Sequence, residues 1–191
     1  MVSISPAPRS LSLPCPSHRA QGLTLPEVLV CLALLALLGG AAWPSLRQFL
    51  ERQRTEAAAN HMVAALQRAR LEGLRRSGGV VLARLSGPDC PASPAADWSC
   101  GWLLFVDDNN DKRWTPGELV LQQYPLQDQT LVRRSVNAVS LSVNRWGHWG
   151  ALVFSFSFIP PSGSLAASVQ LCGSSGGRVR KISGAVQCEP T

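Results

Sequence analysis

One stretch limits what this chain can become: Gly22–Trp43, reading GLTLPEVLVCLALLALLGGAAW. It is the only strongly apolar run in the sequence. It approaches the ~20 residues that an α-helix needs to cross a membrane. Its single charge, Glu27, lies near its start. A carboxylate at the centre of such a helix costs roughly 2.5–3.5 kcal/mol on insertion scales, so Glu27 asks for a partner. Residues 1–22 are rich in Pro and Ser, carry Arg9, His18 and Arg19, and contain no acid. That charge bias assigns them to the cytoplasmic side and the rest of the chain to the far side.

Two cleavage readings follow. A secretory signal would be cut at the small residues Gly40, Ala41 and Ala42, releasing a globular domain. Alternatively the cut falls before the apolar run and the run stays in the mature protein. Gly22-Leu23-Thr24-Leu25-Pro26-Glu27 resembles the type IV prepilin processing site: Gly, an apolar residue, Thr, Leu, a variable residue and Glu, then a hydrophobic helix. The resemblance implies cleavage after Gly22 by a prepilin peptidase and N-methylation of Leu23. It also implies that Glu27 pairs with the free amino terminus of a neighbouring subunit during assembly. Leu23 stands where Phe is commoner and Pro26 where an aliphatic is commoner; Pro is well tolerated in a first helical turn.

Beyond the run, Pro44 should kink or weaken the helix, with Gly39 and Gly40 just before it. From Ser45 to Arg76, Leu46, Phe49, Leu50, Ala57, Met62, Ala65, Leu66 and Ala69 recur at three- and four-residue steps. This predicts an amphipathic helix ended by Ser77-Gly78-Gly79. Short β-type runs follow: Val80–Leu85, Trp102–Val106, Glu118–Gln123, Leu131–Arg134, Val139–Val143, Ala151–Ile159, Leu165–Cys172 and Arg178–Ser183. Their turn-rich spacing predicts a mostly antiparallel sheet. The expected organisation is a leader over 1–22, a transmembrane helix over 23–44, an amphipathic helix over 45–76 and a β-rich head over 77–191. The fold class is α+β.

The head adds to the resemblance. Gly101-Trp102, Phe105-Val106-Asp107, Asn109, Asp111, Glu118-Leu119-Val120-Leu121, and a late strand ending in Cys172 before Gly177-Arg178-Val179-Arg180 resemble the GspH/FimT kind of pseudopilin or minor pilin. The implied fold is pilin-like, a long helix packed on an antiparallel head. The implied setting is the bacterial inner membrane, amino terminus cytoplasmic and head periplasmic, in a type IV pilus or a type II secretion pseudopilus with other pilins as partners. Cys90, Cys100, Cys172 and Cys188 fall in the polar, loop-rich part, and four cysteines allow three connectivities. The close pairs Cys90/Cys100 and Cys172/Cys188 are the simplest choice and suit an oxidising compartment.

Asp107, Asn109, Asp111 and Glu118 stand at EF-hand ligand spacing. Lys112 replaces the Gly that such a loop needs, and the competing reading is a turn whose side chains bond the backbone. Arg178, Arg180 and Lys181 are the sharpest binding candidate. In a strand the two arginines share a face and can hold successive phosphates. In FimT-like minor pilins a Gly-Arg-x-Arg segment is associated with DNA binding; a solvated strand face is the alternative. Arg133, Arg134 and Arg145 are candidates to extend the patch, and Trp146 and Trp149 are candidates to stack on bases, with core or rim packing of a small domain as the alternative for the two tryptophans. The net charge of +6 permits an anionic partner. The three histidines, His18, His61 and His148, fall in leader, helix and loop and offer no nucleophile–base pair or metal spacing, and no phosphate-binding loop is present, so no enzyme and no cofactor is expected. The function classes are a minor pilin that also binds DNA, a purely structural secretion pseudopilin, and a secreted domain.

Overall fold

The structure, a computed structural model, describes residues 24–88, 90, 94–126, 129–151, 153–184 and 188, and only the backbone of residues 41 and 42. The chain divides into two units, Met1–Ala42 and Trp43–Thr191. Helix α1 covers Leu25–Arg75, and the helical assignment runs through Pro44.

In the first unit the helix starts where Thr24 O accepts the N–H groups of Glu27 and Val28, at 3.1 and 3.2 Å. Pro26 sits in this first turn, where its missing N–H leaves no bond unmade. Leu29, Val30, Leu32, Leu34, Leu35, Leu37 and Leu38 are all more than half exposed. Apolar surface of this kind is unfavourable in water by about 25 cal/mol per Å², so the segment requires lipid or protein around it. Among the described residues no single helix is long and apolar enough to cross a membrane. Leu25–Gly40 and Trp43–Arg75 taken together meet that length and composition.

In the second unit the helix buries a stripe of small residues: Ala58, Ala59, Met62, Ala65, Leu66 and Ala69. Their three- and four-residue steps keep them on one face. Ala57, named in the sequence pattern, falls off that face and is exposed. Leu46, Phe49 and Leu50 are exposed as well, so the buried stripe begins about three turns later than the apolar periodicity suggests. Small side chains let the strands come close. A Cβ placed on Gly73 would lie 2.7 Å from Val143 Cγ1. Glu72 near the helix end pairs with Arg76 at 2.9 Å and Arg75 at 3.6 Å. The hydrogen bond from Arg76 holds the Glu72 carboxyl below its ordinary pKa.

Eight strands follow: β1 Val80–Arg84, β2 Gly101–Val106, β3 Val120–Pro125, β4 Leu131–Arg134, β5 Ser140–Val143, β6 Val153–Ile159, β7 Val169–Ser174 and β8 Val179–Ser183. All eight expected runs form strands, but in two sheets. The first has the order β3-β2-β1-β5, the second β4-β6-β7-β8, and every pairing is antiparallel. The run from Leu165 begins with a 3-10 turn, Leu165–Ala167, before β7. Ala167 O accepts the buried Thr55 hydroxyl at 2.6 Å, which ties that turn to the helix.

One core joins the helix stripe to the inner faces of both sheets. Leu82, Leu104 and Leu141 come from the first, and Phe154, Phe156 and Phe158 from the second. Trp98 sits among them, edge-on to Phe156 at 5.0 Å between ring centres. Arg134 is buried beside it, its Nη1 donating to Ala138 O and Ser140 O at 3.3 and 2.6 Å. Burial pulls this guanidinium down from its ordinary pKa. Cys90–Cys100 and Cys172–Cys188 are disulfides, with Cα separations of 5.9 and 5.7 Å. Each closes a short loop and constrains the unfolded chain by about 2–4 kcal/mol. Gly101, next to the first bridge, has φ +104, and the Tyr124 carbonyl stands where a Cβ would go. Only glycine fits there.

Candidate functional site

Three places carry the residues singled out by the sequence. At the amino end, Gly22 and Leu23 lie outside the described residues. Glu27 is described, exposed, and within the first turn of α1. A carboxylate there complements the positive end of the helix dipole, worth about 0.3–1 kcal/mol. That accounts for a modest preference and not for a charge at the edge of an apolar segment.

The second place is the turn between β2 and β3. Its four oxygen-bearing candidates hold the loop itself. Asp107, 6% exposed, accepts Asp111 N–H at Oδ1 (3.1 Å) and Lys112 N–H at Oδ2 (3.0 Å). Asn109 Oδ1 accepts Asp111 N–H at 3.0 Å, and Asp111 Oδ1 accepts Arg113 N–H at 2.7 Å. Glu118 spans the turn, its Oε1 on Asp108 N–H at 3.2 Å and its Oε2 on Thr115 N–H at 2.8 Å. The oxygens a calcium ion would need are the acceptors that close the turn. Among the described residues no group of three or more His, Cys, Asp or Glu is arranged to hold a metal. Asp107→Ala should therefore act on stability. Lys112 N–H loses its acceptor, at about 1–3 kcal/mol for a bond left unmade out of reach of water, and Asp111 N–H keeps only its bond to Asn109 Oδ1. Thermal unfolding with and without millimolar calcium checks this: the variant melts lower and added calcium shifts neither protein.

The third place is the β7–β8 hairpin. Gly177 N–H donates to Ser174 O at 2.9 Å, and Ser174 N–H to Arg178 O at 3.0 Å, closing the turn. Register sets the faces, because paired residues point the same way. Gly173 pairs with Val179, Leu171 with Lys181 and Cys172 with Arg180. Arg180 thus lies on the outer face, with Arg178 two residues before it, and both are exposed. Lys181, also exposed, parts from them in direction: it faces the helix, where its Nζ donates to Asn60 Oδ1 at 2.9 Å.

The other candidates are separated just as sharply. Arg133 is exposed on β4, its backbone in an isolated antiparallel β-bridge with Asp97, whereas Arg134 is buried. Trp149 is 4% exposed and packs edge-on to Phe154, but Trp146 is 67% exposed with Arg145 over its ring at 5.8 Å. The turn holding both tryptophans is bound to the hairpin by Trp149 N–H on Ser175 O, at 3.0 Å. Sequence reasoning does not single out Arg70. Its guanidinium lies where a Cβ on Gly177 would go, and its Cγ would lie 3.1 Å from a Cβ on Gly147. The sequence signal for it is faint: two glycines far apart in the chain. Among the histidines, His61 is stacked on Tyr124 at 4.3 Å and His148 is exposed; His18 lies outside the described residues.

The family described as Type II transport protein GspH matches residues 58–186, and the Prokaryotic N-terminal methylation motif matches residues 17–43. Pilin-like protein PilA1 of Thermus thermophilus is 37% identical over 98 residues, 51% of this chain and 55% of PilA1. The chain thus spans about half the length of this curated relative. Two crystal structures of the type IV minor pilin FimU of Pseudomonas aeruginosa PAO1 are similar, with TM-scores of 0.50 and 0.51 at 18% and 19% identity. They cover 66% and 69% of this chain and 91% and 90% of FimU, a likeness of fold. With most of the head matched and the methylation motif at its amino end, the chain belongs to the GspH family, a pseudopilin of the GspH/FimT type and not an enzyme.

Proposed function

We propose that the chain is made as a prepilin, cut after Gly22 by a prepilin peptidase, and methylated on Leu23. The helix beginning at Leu25 holds it in the bacterial inner membrane, leader cytoplasmic and head periplasmic. From there it joins other pilins or pseudopilins in a filament, with Glu27 paired to a neighbour's amino terminus. In the filament its head binds DNA through Arg178 and Arg180. The observation that carries the binding step is the exposure of these two guanidiniums two residues apart, on the outer side of an edge strand. Neither takes part in an ion pair among the described residues. Guanidiniums so placed attract phosphate without reading sequence.

The mature full-length protein in detergent, titrated with labelled DNA, tests this. Arg178→Ala with Arg180→Ala should weaken binding about tenfold, and the slope of log K against log salt should fall by about 0.9 for each duplex phosphate no longer neutralised. Unchanged affinity and slope would remove the binding role. A second reading would then hold: a purely structural secretion pseudopilin, which the family's description as a type II transport protein favours.

A further inference from the structure

Three elements meet at the tip of the β7–β8 hairpin. The helix contributes Arg70, whose side chain lies between Gly147 and Gly177. The 144–149 turn contributes Arg145 and Trp146, and the hairpin contributes Gly177 and Ser175, whose carbonyl accepts Trp149 N–H at 3.0 Å. Asn144 shapes that turn: its Oδ1 accepts the N–H groups of both Trp146 and His148 at 2.9 Å. Trp146 is thereby held outward, 67% exposed, while Trp149 three residues later fills the core. Arg145 and Trp146 also line a groove of about 460 Å³ together with Lys112, Asn110 and Asp107. Asp107 is the one acid lining it, and both its oxygens already accept loop N–H groups.

A presented indole beside several cations, at the mouth of a groove, has the composition of a site for an unpaired nucleobase. Bases stack on aromatic rings at a gain of about 1–3 kcal/mol each, and every base has a face to offer. A duplex keeps its bases stacked inside and can use only the cations. We infer that the groove walled by Trp146 takes an unstacked base of a single strand, whose phosphates run over Arg145 and Lys112. This rests on the DNA-binding reading above and specifies which form of DNA the site takes. Arg70, wedged against both glycine turns, positions the two turns relative to each other.

The test uses the mature full-length protein in detergent, with a thymidine oligonucleotide, a duplex of the same length, and an abasic strand. The unaltered protein should bind the single strand most tightly. Trp146→Ala should weaken single-strand binding about tenfold, change duplex and abasic binding by less than twofold, and leave the melting temperature unchanged. Trp146→Phe should restore most of the loss. If Trp146→Ala leaves single-strand affinity unchanged while Arg178→Ala with Arg180→Ala weakens it, the base site is overturned and the binding role stands. Equal losses on all three ligands overturn it as well. No binding of any DNA by the unaltered protein overturns both.

Discussion

Trp98→Ala is expected to be the most damaging single substitution in the head, costing about 3–5 kcal/mol, the range for a fully buried aromatic cut to alanine. The indole is 0% exposed and stands edge-on to Phe156. Its Nε1 donates to Ala138 O at 3.2 Å, and the Arg134 guanidinium lies 5.8 Å from its ring centre. Truncation removes all three interactions and leaves a cavity under a buried cation. For a unit of this size the melting temperature should fall on the order of 10 °C. Thermal unfolding by circular dichroism measures it. A drop of only one or two degrees would mean that this part of the core collapses into the space, and that Trp98 is no keystone.

Nothing periodic marks Trp98 in the sequence. It lies at the end of the Gly87–Ser99 stretch, rich in Pro, Asp and Ser, which reads as loop. Its described residues 94–99 form a loop, but a pinned one. Trp98 N–H donates to Val132 O at 2.8 Å, and Arg84 Nη1 donates to Pro94 O and Asp97 O at 3.0 and 2.9 Å. Those bonds join segments apart in sequence, and local patterning carries no trace of them. Strands are legible for the opposite reason. Phe154, Phe156 and Phe158 alternate with smaller residues, and all three are buried while Val153 is 46% exposed. Alternation gives each strand its faces; it does not say which strands become neighbours. The division into two sheets is therefore out of its reach.

The candidate site shows the same boundary. Arg133 and Arg134 are adjacent and chemically identical, yet one is exposed and the other is buried among carbonyls. The pleat guarantees that they part, but only the packing of β4 decides which goes inward. Lys181 parts from Arg180 by the same rule, as the alternation that pairs Arg178 with Arg180 already requires. Trp146 and Trp149 sit in a turn, where no period exists. Asn144 sorts them by holding the turn in one shape. The turn between β2 and β3 is better marked, because short-range Asx bonding is written in the residues themselves.

Glu27→Leu is expected to remove the subunit from filaments by about a hundredfold or more, without removing it from the membrane. On the proposed assembly, the Glu27 carboxylate meets the amino terminus of a neighbour inside an apolar bundle. Taking away one partner of a buried ion pair costs about 3–5 kcal/mol, because the other charge stays buried and unpaired. At about 1.4 kcal/mol per tenfold, that is a factor of roughly a hundred or more. Insertion moves in the opposite direction. Leucine replaces a residue unfavourable in a membrane helix, so the variant should partition into membranes at least as well as the unaltered chain. Amino-terminal sequencing should still find methylated Leu23 first, because Gly22 and Leu23 are unchanged. Sheared filaments and membrane fractions, probed for the subunit, separate these effects. Normal incorporation of the processed Glu27→Leu variant would leave Glu27 with no role beyond the helix dipole. Loss from filaments and membranes together would instead place its role in insertion or processing. Only loss from the filament alone, with membrane level and processing intact, fits a carboxylate whose partner is another subunit.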